Sequence, residues 1–290
     1  MHIPDGYLSP ETCFLMYATA FPIVTYATKQ VANKIKNAPD RIALIGIGAA
    51  CSFLIMMLNL PIPGGTSAHA VGATILAILL GPYEAVLALT LALILQAFIF
   101  GDGGVLALGA NIINMAVIMP LFGYGIYSII HKWGFPKIAV ALGSYLGINL
   151  AALFVAIELG LQPILFHTTH GQPLYNPYPL PITITAMMGT HLFIVGIIEG
   201  AFAMIIYSYV LHHNPKIIIQ QTVKIKPLVL GLIGLGVLTP LGTLISAPAW
   251  GNGPWTTSKV IFHRGCKPPK NIMPCSLITK LVQCRVLHQH

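Results

Sequence analysis

The chain opens Met1-His2, and a free amino terminus followed by histidine is a chelator. The Met1 amine, the His2 amide nitrogen and His2 Nδ1 close a five-membered and a six-membered ring around one metal ion. Three nitrogens then lie in one plane and a fourth corner stays open. A deprotonated amide nitrogen is a ligand that Ni(II) and Cu(II) accept far more readily than Zn(II) or Mn(II), and square-planar nitrogen sites point to those two metals. An imidazole is the natural fourth donor. Pro4, Asp5 and Gly6 form a turn cluster that fixes the terminus in shape. Removal of an initiator methionine requires a small second residue, and His2 is large, so Met1 is expected to remain.

The candidate for the fourth corner is His69, in Pro61-Ile-Pro-Gly-Gly-Thr-Ser-Ala-His69. Gly64 and Gly65 let backbone approach closely. Thr66 and Ser67 are placed to orient the imidazole or the surroundings of the metal. Asp102, in a Gly-rich loop, balances charge near such a site or caps the span after it. Asn111 and Asn114 are three apart on one helix face and are expected to hydrogen-bond neighbouring helices. Glu199 and His191 lie within one apolar run, and an ionisable group there invites a functional reading. Eight residues separate them by about 12 Å along a helix axis and about 80° around it, so they are not a pair. His167 and His170 form His-x-x-His, read as a solvated loop or a place to gather metal.

The elements that must position these residues are membrane helices. Of 290 residues 56% are apolar and only 8% charged, whereas a soluble domain carries about 25% charged residues. That excludes a soluble globular enzyme, a disordered chain and a disulfide scaffold. The long continuous apolar runs also lack the alternation of barrel strands. The expected fold class is an all-α polytopic membrane protein with seven to eight transmembrane helices and the N-terminus outside. Eight stretches stand out: 13–28, 42–60, 70–80, 83–100, 105–130, 138–161, 182–211 and 227–249. The third is too short to cross unaided and must be tilted, broken or partly buried. Pro22 and Pro120 predict kinks.

Basic residues assign the sides. Lys29, Lys34, Lys36 and Arg41 follow the first span, Lys132 and Lys137 flank another loop, and Lys216, Lys224 and Lys226 a third. The loops 61–69, 101–104 and 163–181 contain no Lys or Arg. The positive-inside rule then puts His69, Asp102 and His167 outside with the N-terminus, provided the short third stretch crosses. Acidic Asp5 and Glu11 precede the first apolar run, so no signal peptide is read. The net charge of +8 is a tail property: residues 1–258 carry +2 and residues 259–290 carry +6. The body therefore offers no basic surface for nucleic acid. Cys266, Cys275 and Cys284 match no zinc-site spacing, and Cys13 and Cys51 lie in apolar runs.

Several separate motifs, in order, resemble one family. They are Met1-His-Ile-Pro-Asp-Gly6, Gly64-Gly-Thr-Ser-Ala-His69, Leu79-Leu-Gly-Pro82, Phe100-Gly-Asp-Gly-Gly104 with Leu108-Gly-Ala-Asn111, and Asn114-Met115 through Gly123-Tyr124. Together they resemble the NikM/CbiM family, substrate-specific membrane subunits of energy-coupling-factor nickel and cobalt importers, over roughly residues 1–211. The resemblance implies a seven-helix core at 1–211 and a square plane made by Met1, His2 and His69 for Ni(II) or Co(II) as transported ligand. The first and second motifs look more like the nickel branch. It also implies a separate transmembrane coupling subunit and ABC-type ATPase subunits, in the cytoplasmic (inner) membrane of a prokaryote. The stretch 227–250 is then an additional helix. With Trp250-Gly-Asn-Gly-Pro-Trp255 it resembles a small accessory membrane subunit that is sometimes fused on. The basic tail 251–290 fits no pattern of the family beyond that motif.

Two other classes stand beside this reading. A secondary metal permease or channel should carry coupling groups near the midplane and internal repeats, and no repeat is present. An intramembrane metalloprotease wants H-E-x-x-H, and no His-Glu pair exists. An aspartyl mechanism wants two carboxylates sharing a proton, and Asp102 has no second aspartate in a span. Nor does any G-x-x-x-x-G-K-[ST] occur, so the chain has no phosphate loop of its own for ATP.

Overall fold

The computed structural model describes residues 1–213. The candidate helix 227–250 and the basic tail 251–290 lie outside the described residues. Ser9 opens the first helix: its hydroxyl accepts from Thr12 N, Pro10 sits where no amide partner is needed, and Glu11 meets the positive end of the dipole. This helix, α1, runs Pro10–Ile35 and continues through Pro22. The helix α2 spans Arg41–Met56. A two-residue ribbon follows, β1 Leu60–Pro61 pairing antiparallel with β2 Ser67–Ala68. The short third stretch becomes α3, Ala73–Leu80, only eight residues long and buried almost throughout.

The next helix, α4, runs Pro82–Leu95 and widens into a π turn over Gln96–Phe100. A short α5, Leu108–Asn111, passes through a second π turn, Ile112–Ile118, into α6, Met119–His131. That turn ends just ahead of Pro120, whose missing N–H removes one rung of the helical ladder. Among the described residues the longest helix is α7, Pro136–Leu165. The last descends as α8, Leu180–Thr190, a third π turn His191–Val195, and α9, Gly196–His213.

Among the described residues four helical runs are long and apolar enough to span a membrane: Pro82–Phe100, Leu108–His131, Pro136–Leu165 and Leu180–His213. The fold is that of a multi-pass, all-helical membrane protein, and the strands among the described residues amount to one small ribbon. Seven of the eight apolar stretches coincide with helical runs, but α2 and α3 are shorter than a full span. The α7 helix packs against α6, α8 and α9. Small residues allow this: a side chain at Gly143 would meet the Gly123 carbonyl at 2.6 Å. At the opposite end from the N-terminus, Lys34 and Arg41 both reach the buried Glu84 carboxylate, at 2.9 and 2.7 Å. This joins the ends of α1, α2 and α4, in keeping with the loop ends that the basic residues group together.

Candidate metal centre

Residues 1–9 are not helical, yet Met1, His2 and Ile3 are buried. Irregular backbone that is buried must find partners for its N–H and C=O groups. The partners here come from two helices and two loops. Asn111 clamps Ile3, its Oδ1 accepting from Ile3 N at 2.8 Å and its Nδ2 donating to Ile3 O at 3.2 Å. Gly104 N donates to the same carbonyl. The Asp5 carboxylate accepts from Val105 N and Leu106 N, ahead of α5. Gln162 on α7 accepts from Ser9 N, and Asn176 N donates to Tyr7 O. The terminus is thus tied along its length to α5, α7 and two loops.

A Cβ at Gly104 would overlap both the carboxylate and the amide of Asp5. Gly104→Ala is therefore expected to push the terminal segment outward. If the terminus takes Ni(II), its affinity should fall by about 10- to 100-fold while the helical circular dichroism is kept. Unchanged affinity would mean that the terminus does not need this seat.

At the innermost point, the Met1 amine lies 2.8 Å from His69 Nε2 and donates to Ser67 Oγ at 3.0 Å. The rings of His2 and His69 stack with centroids 4.6 Å apart. Both tautomers follow from their partners. His2 Nε2 faces the Gln96 carbonyl oxygen at 3.1 Å, so Nε2 carries the proton and Nδ1 keeps a free lone pair. His69 Nδ1 faces the Ala70 carbonyl at 3.1 Å, so its Nε2 lone pair points at the amine. Carbonyls that hold the far nitrogen of a ring are the usual means of orienting a metal-binding histidine. Among the described residues no group hydrogen-bonds His2 Nδ1.

The distances have a chemical meaning. Metal–nitrogen bonds of about 2.0 Å set neighbouring corners of a square about 2.8 Å apart. In a plane whose first three corners are the amine, the amide and Nδ1, the fourth donor neighbours the amine. The Met1–His69 separation is 2.8 Å. Among the described residues no group of three or more His, Cys, Asp or Glu side chains is arranged to hold a metal by itself.

Burial sets the protonation. It lowers the Met1 amine to about 4, against the opposing pull of Asp102. His2 falls to about 3, from burial first and then the nearby amine charge, with the Gln96 bond opposing. His69 is pushed well below its usual range by burial, the amine and His2. Asp102 rises to about 7 because it is buried, while the amine pulls it down. Its Oδ2 lies 3.4 Å from His2 Nδ1. At neutral pH the Met1 amine and the His2 and His69 imidazoles are therefore uncharged.

Of the residues singled out from sequence, Met1, His2, Ser67, His69 and Asp102 come together. Thr66 does not join them: its hydroxyl turns to Met187 Sδ, 4.0 Å away. Asn111 reaches the terminal backbone, and Asn114 donates to Glu158 on α7. Glu199 accepts from Val71 N and Gly72 N, both at 2.9 Å, just ahead of α3. Ser52 Oγ donates to Val71 O. Together these hold the segment that carries His69. His167 and His170 are exposed on the loop before α8. Sequence reading missed Gln96, a lone amide in an apolar run with no spacing to mark it, and the capping role of Asp5.

The class these features define is a multi-pass helical membrane protein with its own amino terminus folded into the bundle beside a loop histidine. The chain belongs to the family described as the cobalt uptake substrate-specific transmembrane region, whose model matches residues 2–217. It is 52% identical over 253 residues to the "Probable fused nickel transport protein LarMN" of Lactiplantibacillus plantarum, covering 87% of this chain and 77% of that one. It is 41% identical over 261 residues to the fused nickel transport protein NikMN of Rhodobacter capsulatus, covering 87% and 75%. The crystal structure of a truncated transition metal transporter superposes with a TM-score of 0.71. That protein is 54% identical, and the match covers 73% of this chain and 99% of the other.

Proposed function

We propose that this chain captures Ni(II), or Co(II), through the Met1 amine, the His2 amide and Nδ1, and His69 Nε2. It then mediates import of the ion with separate coupling and ATPase subunits in the inner membrane of a prokaryote. The observation that carries the reading is the buried amine 2.8 Å from a histidine nitrogen whose lone pair faces it. Nickel is favoured because a d8 ion accepts amide nitrogen and a square plane, and because the relatives named above are nickel transport proteins by description.

Charge supports the same assignment. A divalent ion on a deprotonated amide leaves one positive charge, and ionised Asp102 beside His2 neutralises it. The full burial of Met1, His2 and His69 supports an ion that is handed over rather than one that diffuses through. That favours a carrier driven by partners over an open channel.

The test is uptake of radioactive nickel. Cells expressing this chain with its coupling and ATPase partners should accumulate nickel, and an ATPase partner unable to hydrolyse ATP should reduce uptake to background. Nickel entering proteoliposomes that contain this chain alone, without ATP, would favour the permease reading instead.

A further inference from the structure

His191 is fully buried and only half of its ring is used. Nδ1 lies 2.8 Å from the Met187 carbonyl, so Nδ1 carries the proton and Nε2 presents a bare lone pair. Among the described residues nothing hydrogen-bonds that nitrogen. A buried polar atom left without a partner is costly, and a helix face that needed only filling would carry an apolar residue.

The segment that bears His69 runs beside this helix. Thr66 touches Met187, one turn before His191. Val71 and Gly72 bind Glu199, two turns after it. His69 and His191 both fall between those two anchors, and a charge on His191 would lower the proton affinity of His69. The three π turns among the described residues point the same way. One begins at Gln96, which holds His2, and one directly after Asn111, which holds Ile3. The third begins at His191. Such turns are rare and gather at functional sites.

We propose that His191 Nε2 is a further donor for the cargo ion, taking the metal in exchange with the terminal chelate as the ion enters and leaves. This rests on the capture reading of Met1, His2 and His69. A square-planar d8 ion exchanges ligands by association: a fifth donor bonds before one of the four departs. Water is scarce in a fully buried site, and His191 supplies the fifth lone pair in its place. The Ni–Nε2 bond forms, the bond to the His2 amide nitrogen breaks, and that nitrogen takes a proton from bulk solvent as the terminus lifts out, the hydroxide left behind passing to the buffer. No electron changes hands.

The experiment follows nickel leaving the purified full-length protein with its native terminus. The nickel-loaded protein is challenged with excess EDTA, and the d–d absorption band is timed. His191→Leu is expected to slow the decay at least about tenfold and to slow loading in proportion, so that the rates move far more than their ratio. Free imidazole added to His191→Ala should restore the rate. His191→Gln keeps an N–H for the Met187 carbonyl and serves if the apolar variants do not fold; it too should be slow. An unchanged decay, or a faster decay with weaker binding, overturns the proposal. A wild type that shows no nickel band overturns the capture reading itself, which keeps the two failures apart.

Discussion

One extra residue ahead of Met1 is expected to abolish nickel binding while leaving the fold intact. The Met1 residue is 0% exposed, and its amine is bounded by Ser67 Oγ at 3.0 Å and His69 Nε2 at 2.8 Å. An added residue has no room there. It also turns the amine into an amide, which moves the five-membered ring of the chelate and leaves His2 Nδ1 without its partner ligands. Loss of a group one step removed from a metal costs about 10- to 100-fold in affinity, and this change removes a donor and displaces two more. The fall should therefore exceed about a hundredfold. Nickel titration of the native and extended proteins, read by a square-planar d–d band, decides it. If both bind alike, the terminal chelate is not the site, and His191, Glu199 and the exposed His167 and His170 become the candidates.

The legible part of this site consists of residue types with few uses. A histidine at position 2 behind a free amine suggests a chelate, and the histidine after Gly-Gly-Thr-Ser-Ala gains its meaning as a ligand only beside it. The neighbours were less legible for definite physical reasons. Thr66 and Ser67 are adjacent in an extended segment, where successive side chains face opposite ways. Only Ser67 can meet the amine while Thr66 meets Met187. Asp5 reads as a turn former, and its work with residues 105 and 106 depends on a contact a hundred positions away. The helical runs followed from apolar stretches, but the π turns have no hydrophobic signature. They are what set Gln96 and His191 at widened points of their helices. The estimate that His191 and Glu199 do not pair agrees with their separate engagements at Met187 and at the start of α3.

The dependence of nickel affinity on pH should be shallow above neutrality and steeper below it. An exposed terminus would release protons from an amine near 8 and an imidazole near 6.5 as metal binds, making affinity climb steeply between pH 6 and 8. Burial has already removed those protons: the amine titrates at about 4 and His2 at about 3, and His69 lies well below its usual range. Each is a cation whose proton affinity is depressed, so each is neutral across the working range and contributes no slope there. What remains is the amide proton, one per ion bound, and a tenfold rise in affinity per pH unit above about 7. Asp102 adds a second proton below that point. Its carboxyl is raised to about 7 by burial, and a bound cation beside His2 favours the ionised form. Below pH 7 the slope should approach a hundredfold per unit, until the amine and imidazoles begin to protonate near pH 4. Asp102→Asn removes the break and leaves a single slope of about tenfold per unit. Competition titrations from pH 5 to 8.5 measure both curves. A slope near three protons between pH 6 and 8 would show donors that titrate as exposed groups, and with it a terminus that is not seated in the bundle before the metal arrives.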